Sequence, residues 1–305
     1  MILLGDAAEP LSGLVAERLV ALGQRVRAVA WSARGEARLA GHGMEVVRVD
    51  PDRPADARRA LQDVRRVLLE ARPRPPQEAR HVALTEAMAP GRIHVVHATP
   101  FGTAPDAEAA LLRRHALVWD RLARARLRAT RVIVHLYMED LLAFAPDLRD
   151  GEEIVHAIRD AAVPYVDVRD AASAVASLLG RAAPGGQTFV LTGRRTVTMD
   201  EVAQILSRVL DRQVTARQVG LDALAARLSG MQAPLRDARL ALSAVYRRFG
   251  DRAPATDDVA RLSGTEPRTV EGFLSQHASL FRSGRPLAWM PTDPETEAIL
   301  HPLSW

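Results

Sequence analysis

Residues 1–30 read MILLGDAAEPLSGLVAERLVALGQRVRAVA, and this stretch decides the fold. An apolar strand over 1–4 leads into a tight loop over 5–13, a helix over 14–23 and a second strand over 26–30. Leu11, Leu14, Val15, Leu19 and Leu22 recur at three- and four-residue steps, which gives the helix one buried stripe. Pro10 suits the first turn, where a backbone N–H lacks a partner anyway. Strand, loop, helix and strand in this order open a dinucleotide-binding βαβ unit. There the loop lies against a pyrophosphate, and the helix offers it N–H groups and the positive end of its dipole. The loop itself, Gly5-Asp6-Ala7-Ala8-Glu9-Pro10-Leu11-Ser12-Gly13, is short of the glycines that let a backbone approach phosphate.

Outward from this unit, strands over 45–49, 66–69, 93–98 and 130–136 alternate with helices over 36–40, 54–61, 78–89 and 107–126. A proline-dense break stands at 73–76. The alternation predicts an α/β fold, a Rossmann-type doubly wound parallel sheet. The near-continuous apolar runs around Val46-Val47, Val67-Leu68 and Val95-Val96 are those of strands covered on both faces. Two further strands are read at 164–168 and 188–191. Thr198-Met199-Asp200-Glu201 is a capping box opening a helix to Leu210. Helices over 221–228 and 234–249 join near Gly230-Met231-Gln232, and helices over 256–262 and 269–281 follow. Residues 1–150 are therefore expected to form the dinucleotide-binding domain. Residues 151–283 would add the remaining strands and a smaller, mostly helical lobe that lids a substrate, and 284–305 an irregular tail.

Composition narrows the chemistry. The 305 residues contain no cysteine, which excludes disulfides, thiolate nucleophiles and Cys-ligated metal. They contain no asparagine and no lysine, so all 41 basic side chains are arginines and no step uses an amine. The net charge is only +4, with arginines interleaved among acids, and four Trp and three Tyr are too few for a base-stacking surface. No nucleic-acid partner is expected. No apolar run approaches the roughly 18 residues of a membrane span, and the start has no basic leader region, so the cytoplasm is the expected compartment.

Several stretches together resemble the NmrA-like branch of the atypical short-chain dehydrogenase/reductases. They are residues 5–29, Thr130-Arg131-Val132-Ile133 with Tyr137-Met138-Glu139-Asp140-Leu141, and Tyr165-Val166-Asp167-Val168-Arg169-Asp170-Ala171-Ala172. Leu191-Thr192-Gly193, residues 257–264 and residues 267–273 complete the set. The resemblance implies an NADP-binding Rossmann domain and a helical lobe closing over a substrate cleft. This chain departs from the pattern in the loop, where Ala8 replaces the second glycine and one extra residue puts Ser12 where the third stands. On this resemblance Gly5, Asp6, Ala7, Ala8, Pro10, Leu11 and Ser12 cradle the cofactor, with Asp50, Pro51 and Thr99 at strand ends. NADP(H) is favoured over NAD because the end of the second strand reads Ala30-Trp31-Ser32-Ala33-Arg34, with no acid for the ribose hydroxyls. Trp31 can stack beside the adenine, while Ser32 and Arg34 can hold a 2′-phosphate.

The usual proton relay of this superfamily, Tyr-x-x-x-Lys, cannot exist here. Tyr137, Tyr165 and Tyr246 have Leu141, Arg169 and Gly250 four places on. Thr99, at the end of the fifth strand, stands where a carbonyl-holding Ser is expected. His115 lies in the next helix, near where a catalytic acid projects, and an imidazole can donate a proton near neutral pH. His94 and His97 point to opposite faces of a strand and do not suggest a metal pair. Phe101, His135, Tyr137, Met138 and Met231 are expected beside the substrate. The expectation is an NADPH-dependent ketoreductase acting on a small aromatic molecule, a polycyclic polyketide of antibiotic biosynthesis, angucyclinone-type in its narrowest form. Protonation would come from water, from His115 or from a phenol of the substrate itself. The alternative is a non-catalytic NADP(H)-sensing regulator that binds a protein partner. An epimerase or dehydratase ranks last. Either a monomer or a homodimer is compatible with the sequence.

Overall fold

The computed structural model describes residues 1–71, 77–149, 151–181, 185–231, 233–250 and 253–283. The expected break at 73–76, the joint residue Gln232 and the tail over 284–305 lie outside these. The strands are β1 (Ile2–Leu4), β2 (Val26–Ala30), β3 (Glu45–Arg48), β4 (Arg66–Glu70), β5 (His94–Pro100), β6 (Arg128–Val134), β7 (Glu153–His156), β8 (Thr188–Leu191) and β9 (Thr215–Gln218). Seven of them form one sheet in the order β3-β2-β1-β4-β5-β6-β8, and every pairing in it is parallel. The chain builds outward from β1 in one direction and then returns to β4 to build in the other. That reversal opens a crevice at the carboxyl ends of β1 and β4, the place where ligands settle in open α/β sheets.

Helices cover both faces, as the alternating sequence requires. α1 (Pro10–Ala21) packs beside α7 (Val168–Gly180), and α7 beside α11 (Asp258–Ser263), on one face, over Leu4, Val96 and Val132. α2 (Ala33–Leu39) crosses from β2 to β3, while α3 (Pro54–Ala60), α4 (Gln77–Ala87) and α5 (Ala110–Arg124) cover the opposite face, over Leu3, Leu69 and Val95. A second core gathers the smaller lobe. The 3-10 turn Met138–Phe144, α6 (Ala145–Arg149), α8 (Met199–Leu210), α12 (Val270–Gln276) and α13 (Ala278–Ser283) meet around Tyr165, Leu206 and Phe273. α9 (Leu221–Arg227) and α10 (Ala233–Phe249) lie over the crevice from the lobe's side. None of the described helices is long and apolar enough to cross a membrane.

Two expectations are corrected. Residues 164–168 make only one isolated bridge, Val166 with Tyr137, and Val163 just before them bridges Val197. Pro164 has no N–H to extend a ladder, and Asp167 caps α7, so the chain turns helical at Val168. The helix read over 269–281 is two helices parted at His277, whose Nδ1 lies 2.9 Å from the Phe273 carbonyl oxygen.

Candidate active site

The amino end of α1 lies in the crevice, as the opening stretch requires. Pro10 occupies its first turn. The Ser12 N–H donates to the Glu70 carboxylate at 2.7 Å, with both residues buried. An anion therefore already sits where helix amides and dipole favour one, and it comes from the end of β4. The Ser12 hydroxyl beside it is buried without a partner. Gly5 serves packing: a Cβ there would meet Leu69 at 3.0 Å and the Leu68 carbonyl oxygen at 3.3 Å. Asp6 turns away from the helix end and pairs with His81 of α4 at 2.5 Å. Ala7 is buried in the core, Ala8 is exposed and Leu11 lines the crevice.

At the end of β2, Trp31 folds back, and its indole N–H donates to the Gly5 carbonyl at 2.7 Å. Arg80 stacks over its ring at 5.4 Å. Ser32 and Arg34 are exposed at the start of α2, where the Ser32 hydroxyl accepts the Gly35 N–H. Asp50 is exposed and folds onto the Asp52 N–H, and Pro51 is half-buried beside it.

Beyond the helix end the crevice widens into a mostly apolar cavity roofed by α10. Thr99, Phe101, His135, Tyr137 and Met231 all reach its wall, as expected. The Thr99 hydroxyl is buried and lacks a partner. Met138 does not reach the wall; it packs in the smaller core with Leu141 and Tyr165. His115 does not reach it either. It is buried on the α5 side of the sheet, close enough to His97 for their charges to interact. The reason is geometric: the α5 stripe that buries His115 also buries Leu112, Val118 and Leu122 against the sheet's far face. His94 bonds Thr130 at 2.9 Å, whereas His97 sits between His81 and Trp119 on the other face. Tyr165 and Arg169 part company as well, the first touching Met199 and the second bound to Asp167.

Three residues of this site escaped the sequence reading. Glu70 was visible as an acid ending the apolar run Val67-Leu68-Leu69. Tyr246 and Arg239 both belong to the 234–249 segment, read there only as an amphipathic lid. The Tyr246 oxygen accepts the Leu136 N–H at 3.1 Å and lies 2.8 Å from His135 Nδ1. In the tautomer in which the phenol donates to Nδ1, the N–H of the imidazole is on Nε2. Phe101 stacks on the same ring at 4.3 Å between centroids. Burial pushes His135 down to about 4, so its ring is neutral at pH 7. Burial pushes the Tyr246 phenol up.

Several observations bear on a dinucleotide. The crevice stands at the topological reversal, its helix end holds a carboxylate, and the Ser12 and Thr99 hydroxyls are buried without a partner among the described residues. The residues fit such a ligand once Glu70 yields the Ser12 amide.

No family model matches the chain. It is 30% identical over 243 residues to the (4-alkanoyl-5-oxo-2,5-dihydrofuran-3-yl)methyl phosphate reductase of Streptomyces griseus, covering 79% of this chain and 86% of that protein. It is 27% identical over 206 residues to the NAD(P)H azoreductase of Xenophilus azovorans, covering 67% and 72%. Among solved structures, the Citrobacter sp. triphenylmethane reductase complexed with NADP(H) superposes with a TM-score of 0.79 at 21% identity, over 90% of this chain and 99% of that one. The NADPH-dependent quinone oxidoreductase of Escherichia coli complexed with NADPH gives 0.81 at 22% identity, over 90% and 99%. The fold, the crevice and these relatives agree, and the chain belongs to the NmrA-like branch of the atypical short-chain dehydrogenase/reductases, the NADP(H)-dependent oxidoreductases expected from its sequence.

Proposed function

We propose that this protein uses NADPH to reduce a ketone on a planar aromatic substrate, with a polycyclic polyketide of antibiotic biosynthesis as the favoured class. The observation that carries the reading is the cavity itself, an apolar slot at the carboxyl edge of the sheet holding a neutral His135 and an orphaned Thr99 hydroxyl. Phe101, Leu141, Phe144 and Met231 suit a flat, hydrophobic ring system. The relatives named for azo, quinone and triphenylmethane substrates act on conjugated acceptors, which supports the same class.

Ser12 and its neighbouring amides would hold the diphosphate, Ser32 and Arg34 the 2′-phosphate, and Thr99 the nicotinamide end. NADPH, when bound, supplies the hydride that adds to the carbonyl carbon. The chain supplies the proton. His135 offers Nε2–H to the carbonyl oxygen as charge develops there, in the manner of a neutral imidazole acting as electrophile. Tyr246 fixes that tautomer by donating to Nδ1, and the Leu136 N–H fixes Tyr246. As the O–H bond forms, the Tyr246 proton moves to Nδ1. Water then delivers a proton to Nε2 as Nδ1 returns its own to the Tyr246 oxygen, which restores the starting tautomer with the phenol neutral. A ketone flanked by its own phenol carries a second donor.

The competing reading, an NADP(H)-sensing regulator with a protein partner, is favoured by one contact. Glu70 holds the Ser12 amide, which makes dinucleotide occupancy conditional. NADPH oxidation measured against a panel of polycyclic aromatic ketones separates the two. Saturable turnover supports the reductase; NADP(H) binding with no turnover of any ketone supports the sensor.

A further inference from the structure

Arg239 points into the cavity from α10 and meets no acid. It lines the cavity wall, and its guanidinium lies 5.6 Å from the centroid of the Phe144 ring. Among the described residues it makes no hydrogen bond and no ion pair. The two carboxylates whose fields reach it, Asp140 and Asp147, are engaged elsewhere. Asp140 accepts the Tyr137 N–H at 3.0 Å, and Asp147 pairs with Arg227. Burial lowers the pKa of the guanidinium, yet an arginine stays charged in a protein. By contrast, the buried Arg27 binds Glu45 and two carbonyls, and the half-buried Arg169 binds Asp167. A cation kept in an apolar cavity calls for a counter-charge, because burial of an unpaired charge is costly.

We infer that Arg239 is a substrate-binding residue that recognises an anionic group, a carboxylate, a phosphate or a phenolate, carried by the ketone. This deepens the proposed ketone reduction and rests on it for the identity of the reacting group. The planar guanidinium fork matches an oxyanion pair, and Phe144 holds its other face, as cation–π stacking allows. His135 and Arg239 lie on different elements, β6's end and α10, so α10 brings the charge reader down onto a ketone that His135 faces. The substrate is then an amphiphile: flat and apolar in the middle, with the ketone at the sheet edge and a negative group under the lid.

The test uses the full-length protein with anthraquinone-2-carboxylate, its neutral 2-carboxamide, a 2-phosphate ester and a 2-hydroxy compound. Binding is read by calorimetry and reduction by NADPH oxidation. The wild-type protein is expected to bind at least one anionic probe about 10- to 100-fold more tightly than the carboxamide, the range of a charge-assisted hydrogen bond. Arg239→Gln is expected to reduce that ratio to about one, and the anion that loses most identifies the source. No anionic preference in the wild type, or the same preference in Arg239→Gln, overturns the inference. Should Arg239→Gln fold poorly, Arg239→Leu, which keeps an apolar stem in the cavity wall, gives the same comparison. Preferential anion binding without reduction of any probe upholds the Arg239 site and counts against the reductase reading. Reduction without preference does the reverse.

Discussion

The carboxylate of Glu70 accepts a hydrogen bond from the Ser12 N–H at 2.7 Å, inside the first turn of the helix that opens the fold. A dinucleotide diphosphate held as proposed would compete with Glu70 for this amide. Replacing Glu70 with Gln removes the charge and keeps an acceptor, so the diphosphate meets no like charge. Glu70→Gln is expected to bind NADPH about 10-fold more tightly, a difference of about 1.4 kcal/mol, as titration calorimetry would read it. Equal or weaker binding would mean that Glu70 does not obstruct the helix end.

On the proposed mechanism His135 and Tyr246, 2.8 Å apart, divide between them the work of one proton. His135→Leu removes the donor and is expected to lower kcat about 100- to 1000-fold, the cost of losing one donor at a developing oxyanion. His135→Gln keeps a neutral N–H in reach and is expected to recover most of that loss. Tyr246→Phe frees the tautomer and is expected to lower kcat about 10-fold with KM little changed. A kcat within threefold of wild type in His135→Leu (about 0.7 kcal/mol), with NADPH affinity unchanged, would assign the proton to water or to the substrate's phenol.

Gly102 lets α10 pack closely against the turn after β5. Its φ of +85° lies in the left-handed region, and a Cβ there would come within 2.6 Å of Val245 Cγ1 on α10. Gly102→Ala is expected to destabilise the protein by about 1–3 kcal/mol through backbone strain and overpacking. Adding Val245→Ala should recover the packing part and leave the strain. Urea unfolding of both variants checks this; an unchanged midpoint in Gly102→Ala would show that α10 does not pack against this turn.

Burial, reinforced by the Asp167 carboxylate, pushes the Glu139 carboxyl up to about 8 from an ordinary 4.5. The folded chain therefore holds a proton that the unfolded chain releases near 4.5. Between these values more protons are bound in the folded state, so stability falls as pH rises. Glu139→Gln is expected to flatten that slope in a plot of Tm against pH from about 5 to 8. A slope identical to wild type would show that Glu139 ionises freely in the fold.

The fold was legible because strands buried on both faces write continuous apolar runs, as around Val67 and Val95, and because helices such as α1 carry a clear stripe. Short β7 and β9 were not: each has only four residues, and those of β9 are mostly exposed, so neither carries such a signal. At the site, Thr99, Phe101, His135 and Tyr137 were found because the carboxyl edge of a parallel sheet is where strand ends converge. His115 was misjudged because helical phase relative to the sheet depends on the loop before it. The Asp6–His81, Glu70–Ser12 and His135–Tyr246 contacts join residues 75, 58 and 111 positions apart. Such pairings arise from tertiary packing, and local spacing does not reveal them.

Reduction with NADPH deuterated at the transferring C4 position tests the central claim most directly. The account predicts that the alcohol from a planar aromatic ketone bearing an anionic group carries one deuterium on its carbinol carbon. Tight binding of the labelled cofactor, with no label reaching any ketone of that class, would contradict it.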